Sequence, residues 1–169
     1  FSWDDNNIGG AASIDWSSVI SFDGSYELDF PNIGSLVELP SSLSLSGLAG
    51  AGRFEVALPA EGAEGSVSIT ELSGRIADFP LVGQGAVLFS QGALELDDLQ
   101  FRTESNQLNL DGTYSDSLDL SWSVSAASLD EFLVGSSGTL EGRGSLMGDP
   151  TSPDIAGVLS GSNLSFQQV

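Results

Sequence analysis

The feature that most narrows what this chain can become is the stretch GTLEGRGSLMGDPTSPDIAGVLSGSNLSF, from Gly138 to Phe166. Leu140, Gly142, Gly144 and Leu146 fall at every second position, as do Leu164 and Phe166. Period two places one set of side chains on one face of a strand and the intervening polar set on the other. Between the halves, Asp149-Pro150-Thr151-Ser152-Pro153 cannot continue a ladder, because proline lacks the donor N–H and fixes φ. The segment predicts a strand, a turn and a second strand.

The same alternation runs upstream. Ile14, Trp16, Ile20 and Phe22 share a parity that Tyr26, Leu28 and Phe30 continue beyond Asp23-Gly24, which predicts a hairpin turning at that dipeptide. Pro31 and Pro40 bound a connection, after which Leu43, Leu45, Phe54, Val56 and Leu58 resume the pattern up to the polar turn Glu61–Gly65. Val67 and Ile69, Leu72 and Ile76, Val87 and Phe89, then Leu94 and Leu96 follow. At Asp97-Asp98 the parity slips by one, so that Leu99 and Phe101 carry the apolar face; two acids at a parity change predict a bulge. Leu108 and Leu110 lead into Asp111-Gly112, a hairpin dipeptide, and Leu118, Leu120, Trp122 and Val124 form the clearest strand. One segment departs from this cadence. Ser128 followed by Glu131 spells a capping box ending at Gly135, so a single helical turn is expected near residues 128–134, with Leu129, Phe132 and Leu133 packed on the end of the sheet. The whole reads as one all-β domain over residues 1–169, with about a dozen short strands at roughly ten-residue spacing. Because it begins at Phe1 and stops at Val169 just after a strand, it is expected to be a fragment of a longer chain.

Chemistry is scarce in this sequence. Histidine and cysteine are absent, which removes most nucleophilic, general-base and metal constellations and any disulfide. Asp97-Asp98 and Asp130-Glu131 are adjacent acids whose side chains diverge on a strand, so neither spacing builds an acid and base couple. Asp4, Asp5, Asn6 and Asn7 offer oxygen ligands without the spacing of a calcium loop, and read as a solvated turn. The Asn163-Leu164-Ser165 triplet is a glycosylation sequon of little weight on a strand. No cofactor motif and no catalytic residue is assigned. With 24 acids against four arginines the net charge is −20, which repels phosphates and disfavours nucleic acid as a partner. Arg53, Arg75, Arg102 and Arg143 sit singly at polar parity, and cross-strand pairing with acids is expected of them. No run approaches the ~20 apolar residues of a membrane-spanning helix.

Over residues 65 to 169 the chain resembles the C-terminal region of the TamB family, on Gly138, Leu140, Gly142, Gly144, Leu146, Gly148, Pro153, Ile155, Gly157, Leu159, Gly161, Asn163, Leu164 and Phe166, and on the runs Leu94–Tyr114 and Leu118–Leu133. The wider AsmA-like group shares this style of sheet. The resemblance implies a curved, U-shaped sheet of the β-taco kind, apolar inside and polar outside, bent at Gly138, Gly142, Gly144, Gly157 and Gly161. Its hydrophobic groove would be lined by Leu94, Leu96, Leu99, Phe101, Leu108, Leu110, Leu118, Leu120, Trp122, Val124, Leu140, Leu146, Leu159, Leu164 and Phe166. It further implies a non-enzymatic segment in the periplasm of a Gram-negative bacterium, its parent chain anchored in the inner membrane by a segment not present here. The implied partner is a TamA-like outer-membrane barrel, and the implied cargo is phospholipid acyl chains or unfolded outer-membrane protein strands. The implied roles are protein insertion or secretion and phospholipid transport between the membranes. Composition alone points instead to the apolar face closing on itself, as in an acidic β-sandwich module of an adhesin or structural protein.

Overall fold

The computed structural model describes residues 2–3, 5–31, 45–76, 78–132 and 135–166. Asp4, Pro40, Leu43 and Leu133, invoked above, lie outside the described residues. The strands are β1 (Ser2–Trp3), β2 (Asn6–Asp15), β3 (Ile20–Phe30), β4 (Leu45–Leu58), β5 (Glu64–Ile76), β6 (Phe79–Ser90), β7 (Ala93–Arg102), β8 (Asn106–Tyr114), β9 (Leu118–Ala126), β10 (Ser136–Gly148) and β11 (Asp154–Phe166). They form one 11-stranded sheet whose spatial order is the order of the sequence. Every pairing is antiparallel. The sheet is open, consistent with a curved taco-like form, and the closed-sandwich alternative is replaced by a single layer.

Two sequence-based turns fall inside strands. Asp23 and Gly24 lie in mid-β3, and the chain reverses instead over residues 16–19, where the Ser17 amide donates to the Asp15 carboxylate at 2.8 Å. Asp111 and Gly112 lie in mid-β8, and the reversal comes at residues 115–117. The reason is steric: a Cβ on Gly24 would sit 2.9 Å from the Phe54 ring, and one on Gly112 would sit 2.7 Å from Leu120 Cα, so these glycines make room for neighbours instead of turning the chain. The Asp149–Pro153 turn forms as expected, with the Asp149 carboxylate accepting from the Thr151 amide at 2.8 Å.

The Asp97-Asp98 bulge is present. Between Leu96 and Leu99 the register with β8 shifts, Asp98 adopts φ 50°, and its freed amide donates to the Asp111 carboxylate at 3.0 Å. A second bulge at Thr70-Glu71 of β5 satisfies the Ala51 carbonyl through the Thr70 hydroxyl at 3.0 Å. The two flank β6 at Gly85, where φ is +142° and a side chain would strike Leu99. Bulges bend their own strands, so this aligned pair creases the sheet across its strands.

The helical turn is a 3-10 turn over Leu129–Glu131, but its capping box does not form: the Ser128 side chain makes no cap bond to the backbone, and Glu131 turns to Thr103 and Ser105. The expected arginine pairing is also corrected. The residues directly across from the four arginines are Ser25 and Ser68, Ser46 and Pro80, Val82 and Gln107, and Ser123 and Val158. Arg75 donates to the Asp78 carbonyl instead.

Candidate functional site

Register decides which side chains share a face. Starting from Trp122, the ladder places Leu110 of β8 and Gly144 of β10 directly beside it. Leu108 stands beside Val124, Leu120 beside Leu146, and Leu118 beside Tyr114, all on that face. Through β8 the same face reaches Leu94, Leu96, Leu99 and Phe101, the two halves of β7 being brought into line by the Asp97-Asp98 bulge. Through β10 it reaches Leu140, then Leu159 opposite Gly142.

Strict alternation would send Leu164 and Phe166 to the other side from Leu159. Asn163, in the left-handed region at φ 54°, adds the one residue that corrects this. The Leu164 side chain lies against Gly161 of the same face, and Phe166 is opposite Ser136. All fifteen side chains expected of the groove therefore stand on one face.

That face is twice as wide as the sequence indicated. Beyond β7 it continues through Phe89 and Val87, Val67 and Ile69, Phe54 and Val56, Tyr26 and Phe22, to Ile8 and Ile14 of β2. The alternation in these strands was visible, but a face shared by ten strands follows only from their register.

Large rings lie down over glycines of adjacent strands. A Cβ on Gly144 would meet Trp122 Cζ2 at 2.6 Å, and one on Gly157 would meet the same atom at 2.8 Å, so the indole spans β10 and reaches β11. Tyr26 lies over Gly52 and donates its hydroxyl to the Ser68 carbonyl at 3.1 Å. Burial lifts the Tyr26 phenol above its ordinary pKa, so it remains a neutral donor. The result is a paved apolar surface.

Exposure differs between its two long borders. At the border where β7 ends and β8 begins, Ile76, Leu81, Asn106 and Ala126 are buried, and the 3-10 turn adds buried Leu129 and Glu131. At the opposite border Ile14, Ile20, Leu58, Leu94, Tyr114 and Ile155 are exposed. β11 is exposed at every position, with Ile155 at 73% and Phe166 at 62%. A depression of about 710 Å³ lies elsewhere: its lining is mostly of polar-face parity, including Asp23, Glu55, Glu64 and Glu95. Among the described residues no group of three or more acids is arranged to hold a metal ion, and no helix is long and apolar enough to cross a membrane.

The family model described as "TamB, N-terminal domain" matches residues 2–169. Among curated proteins, the translocation and assembly module subunit TamB of Haemophilus influenzae is 26% identical over 161 residues, covering 92% of this chain and 12% of that protein. No solved structure matches. The matched model is of the N-terminal domain, which corrects the expectation of a C-terminal region. A cadence of Gly and Leu is what any strand of such a sheet requires, so it marks the kind of sheet and not its place along a parent chain.

Proposed function

This chain belongs to the TamB family, and from that premise we propose that it is a non-enzymatic segment of a translocation and assembly module. Its apolar face would hold phospholipid acyl chains in transit between inner and outer membranes, or unfolded strands of outer-membrane proteins. The working place on this reading is the periplasm of a Gram-negative bacterium, with a TamA-like outer-membrane barrel as partner. The observation that supports it most is the continuity of one apolar face from Ile8 to Leu159 in a sheet with no second layer among the described residues. Each methylene moved from water onto such a face gains about 0.8 kcal/mol, so an acyl chain is retained without any directional contact. An extended polypeptide has a second mode of binding, because an open sheet edge offers unpaired backbone groups.

Native mass spectrometry with lipid extraction, after expression in a Gram-negative periplasm, tests the reading. Phospholipid is expected to co-purify with the chain and to be lost in Trp122→Glu while the circular dichroism stays that of a folded sheet. A folded, lipid-free wild type would refute the acyl-chain reading and leave unfolded strands as the cargo.

A further inference from the structure

We infer that the turn from Ser128 to Phe132 is a detachable plug that occupies one border of the apolar face and competes with cargo there. Its location follows from Asn106. This residue stands beside Ala126 and two positions before Leu108, so its side chain belongs to the apolar face. Its amide accepts from the Ser128 N–H at 3.0 Å and donates to the Ser128 carbonyl at 2.7 Å, which draws the turn over that face. At the same border Ala126, beside Asn106, is 2% exposed, and Leu129 on the turn is 8% exposed. An alkyl group supplied by the chain itself therefore fills space on the face that the proposed function assigns to cargo.

The manner of attachment makes the plug separable. Glu131, 4% exposed, accepts from the Ser105 amide at 3.1 Å and from the Thr103 hydroxyl. The Glu131 carboxylate's partners and the one Ser128 finds outside the turn all lie in residues 103–106, the junction of β7 and β8, and none of these bonds is a rung of a strand ladder. Breaking them leaves every register of the sheet intact. β9 and β10 are joined by residues 127–135, while Gln91-Gly92 alone joins β6 to β7, so this connection has length to spare. Gly135, at φ +80°, ends the segment in a conformation that glycine adopts without strain.

The inference rests on the proposed binding of alkyl chains, and the test separates the two. The probe is Nile red, a neutral dye, mixed rapidly with the folded 169-residue chain. Glu131→Ala removes two hydrogen bonds to a carboxylate; dye uptake about tenfold faster and quicker amide exchange at Ser105 are expected. Because the chain has no cysteine, Asn106→Cys with Ser128→Cys gives one defined disulfide, and the oxidised form is expected to take up dye about tenfold more slowly than the reduced form. Equal rates in oxidised and reduced forms, or an unchanged rate in Glu131→Ala, would overturn the plug while leaving cargo binding intact. A wild type that takes up no dye would remove the proposed function and the plug with it.

Discussion

Replacing glycine by alanine within a strand ordinarily stabilises a protein by about 0.5–1 kcal/mol, since the unfolded chain loses freedom. At Gly157 of β11 the opposite sign is expected. The added Cβ would stand 2.8 Å from Trp122 Cζ2 and 2.8 Å from the Arg143 carbonyl oxygen, where ordinary contact begins near 3.4 Å. Overpacking of this kind costs about 1–3 kcal/mol, so after the gain in the unfolded state Gly157→Ala is expected to destabilise by about 1–2 kcal/mol. With Gly144 Cα at 3.2 Å, one of the three tight contacts is against a side chain. In a Trp122→Leu background the same substitution should cost less, giving a coupling of about 1 kcal/mol in a double-mutant cycle. Gly9 supplies the control, because a Cβ there meets nothing within 4 Å, and Gly9→Ala should stabilise in the ordinary way. Urea unfolding followed by circular dichroism measures all five proteins. If Gly157→Ala stabilises as Gly9→Ala does, or costs the same with and without the indole, then Trp122 is not seated over the glycines and the description of a paved face is wrong.

The Asp98 amide of the β7 bulge donates to Asp111 at an exposed position where water can replace the lost acceptor, so Asp111→Ala should cost only about 0.5–1 kcal/mol and Asp111→Asn less; equal losses in urea unfolding would contradict this. Asn163 holds a left-handed conformation, and Asn163→Val should destabilise by about 1–2 kcal/mol while Asn163→Gly is tolerated, as thermal unfolding of the two variants would reveal. For Glu131, burial raises the carboxyl pKa, but hydrogen bonds from Thr103 and Ser105 outweigh it and the adjacent Asp130, leaving the group below the usual glutamate value. Between the lowered and the usual value the unfolded chain binds more protons than the folded one, so stability rises with pH there. The contribution is complete above the usual value and is lost as pH falls through the lowered one. Urea midpoints measured across the acid range should therefore fall less steeply in Glu131→Gln than in the wild type, and parallel curves would dismiss the assignment.

The parity slip at Asp97-Asp98 was legible because it left a mark in the sequence: Leu96 and Leu99 cannot share a face without an extra residue. The slip at Asn163 leaves the same mark between Leu159 and Leu164. Turns were harder, since Asp-Gly serves both a tight reversal and a strand position that must be thin. Only the neighbours decide between these uses, and Phe54 beside Gly24 is 30 residues away along the chain. Glu131 was misassigned for a similar reason. Its spacing from Ser128 satisfies a local cap, but Thr103 and Ser105 compete for the same carboxylate from a distant turn and win. The fold class survived these errors because the period-two pattern does not depend on where strands end. The width of the apolar face was not legible, because register between strands is set by pairing that no single strand encodes.

Strand order identical to sequence order gives this architecture an unusual tolerance to changes of length. Each strand between the first and the last bonds only to the one before it and the one after it. Deleting or duplicating an adjacent pair of strands therefore breaks and remakes a single seam, and keeps the direction of every strand that follows. The sheet would shorten or lengthen in steps of two strand spacings, about 9.6 Å. A gene encoding such a sheet can adjust how far it reaches by copying or losing one hairpin at a time, without redesigning any core.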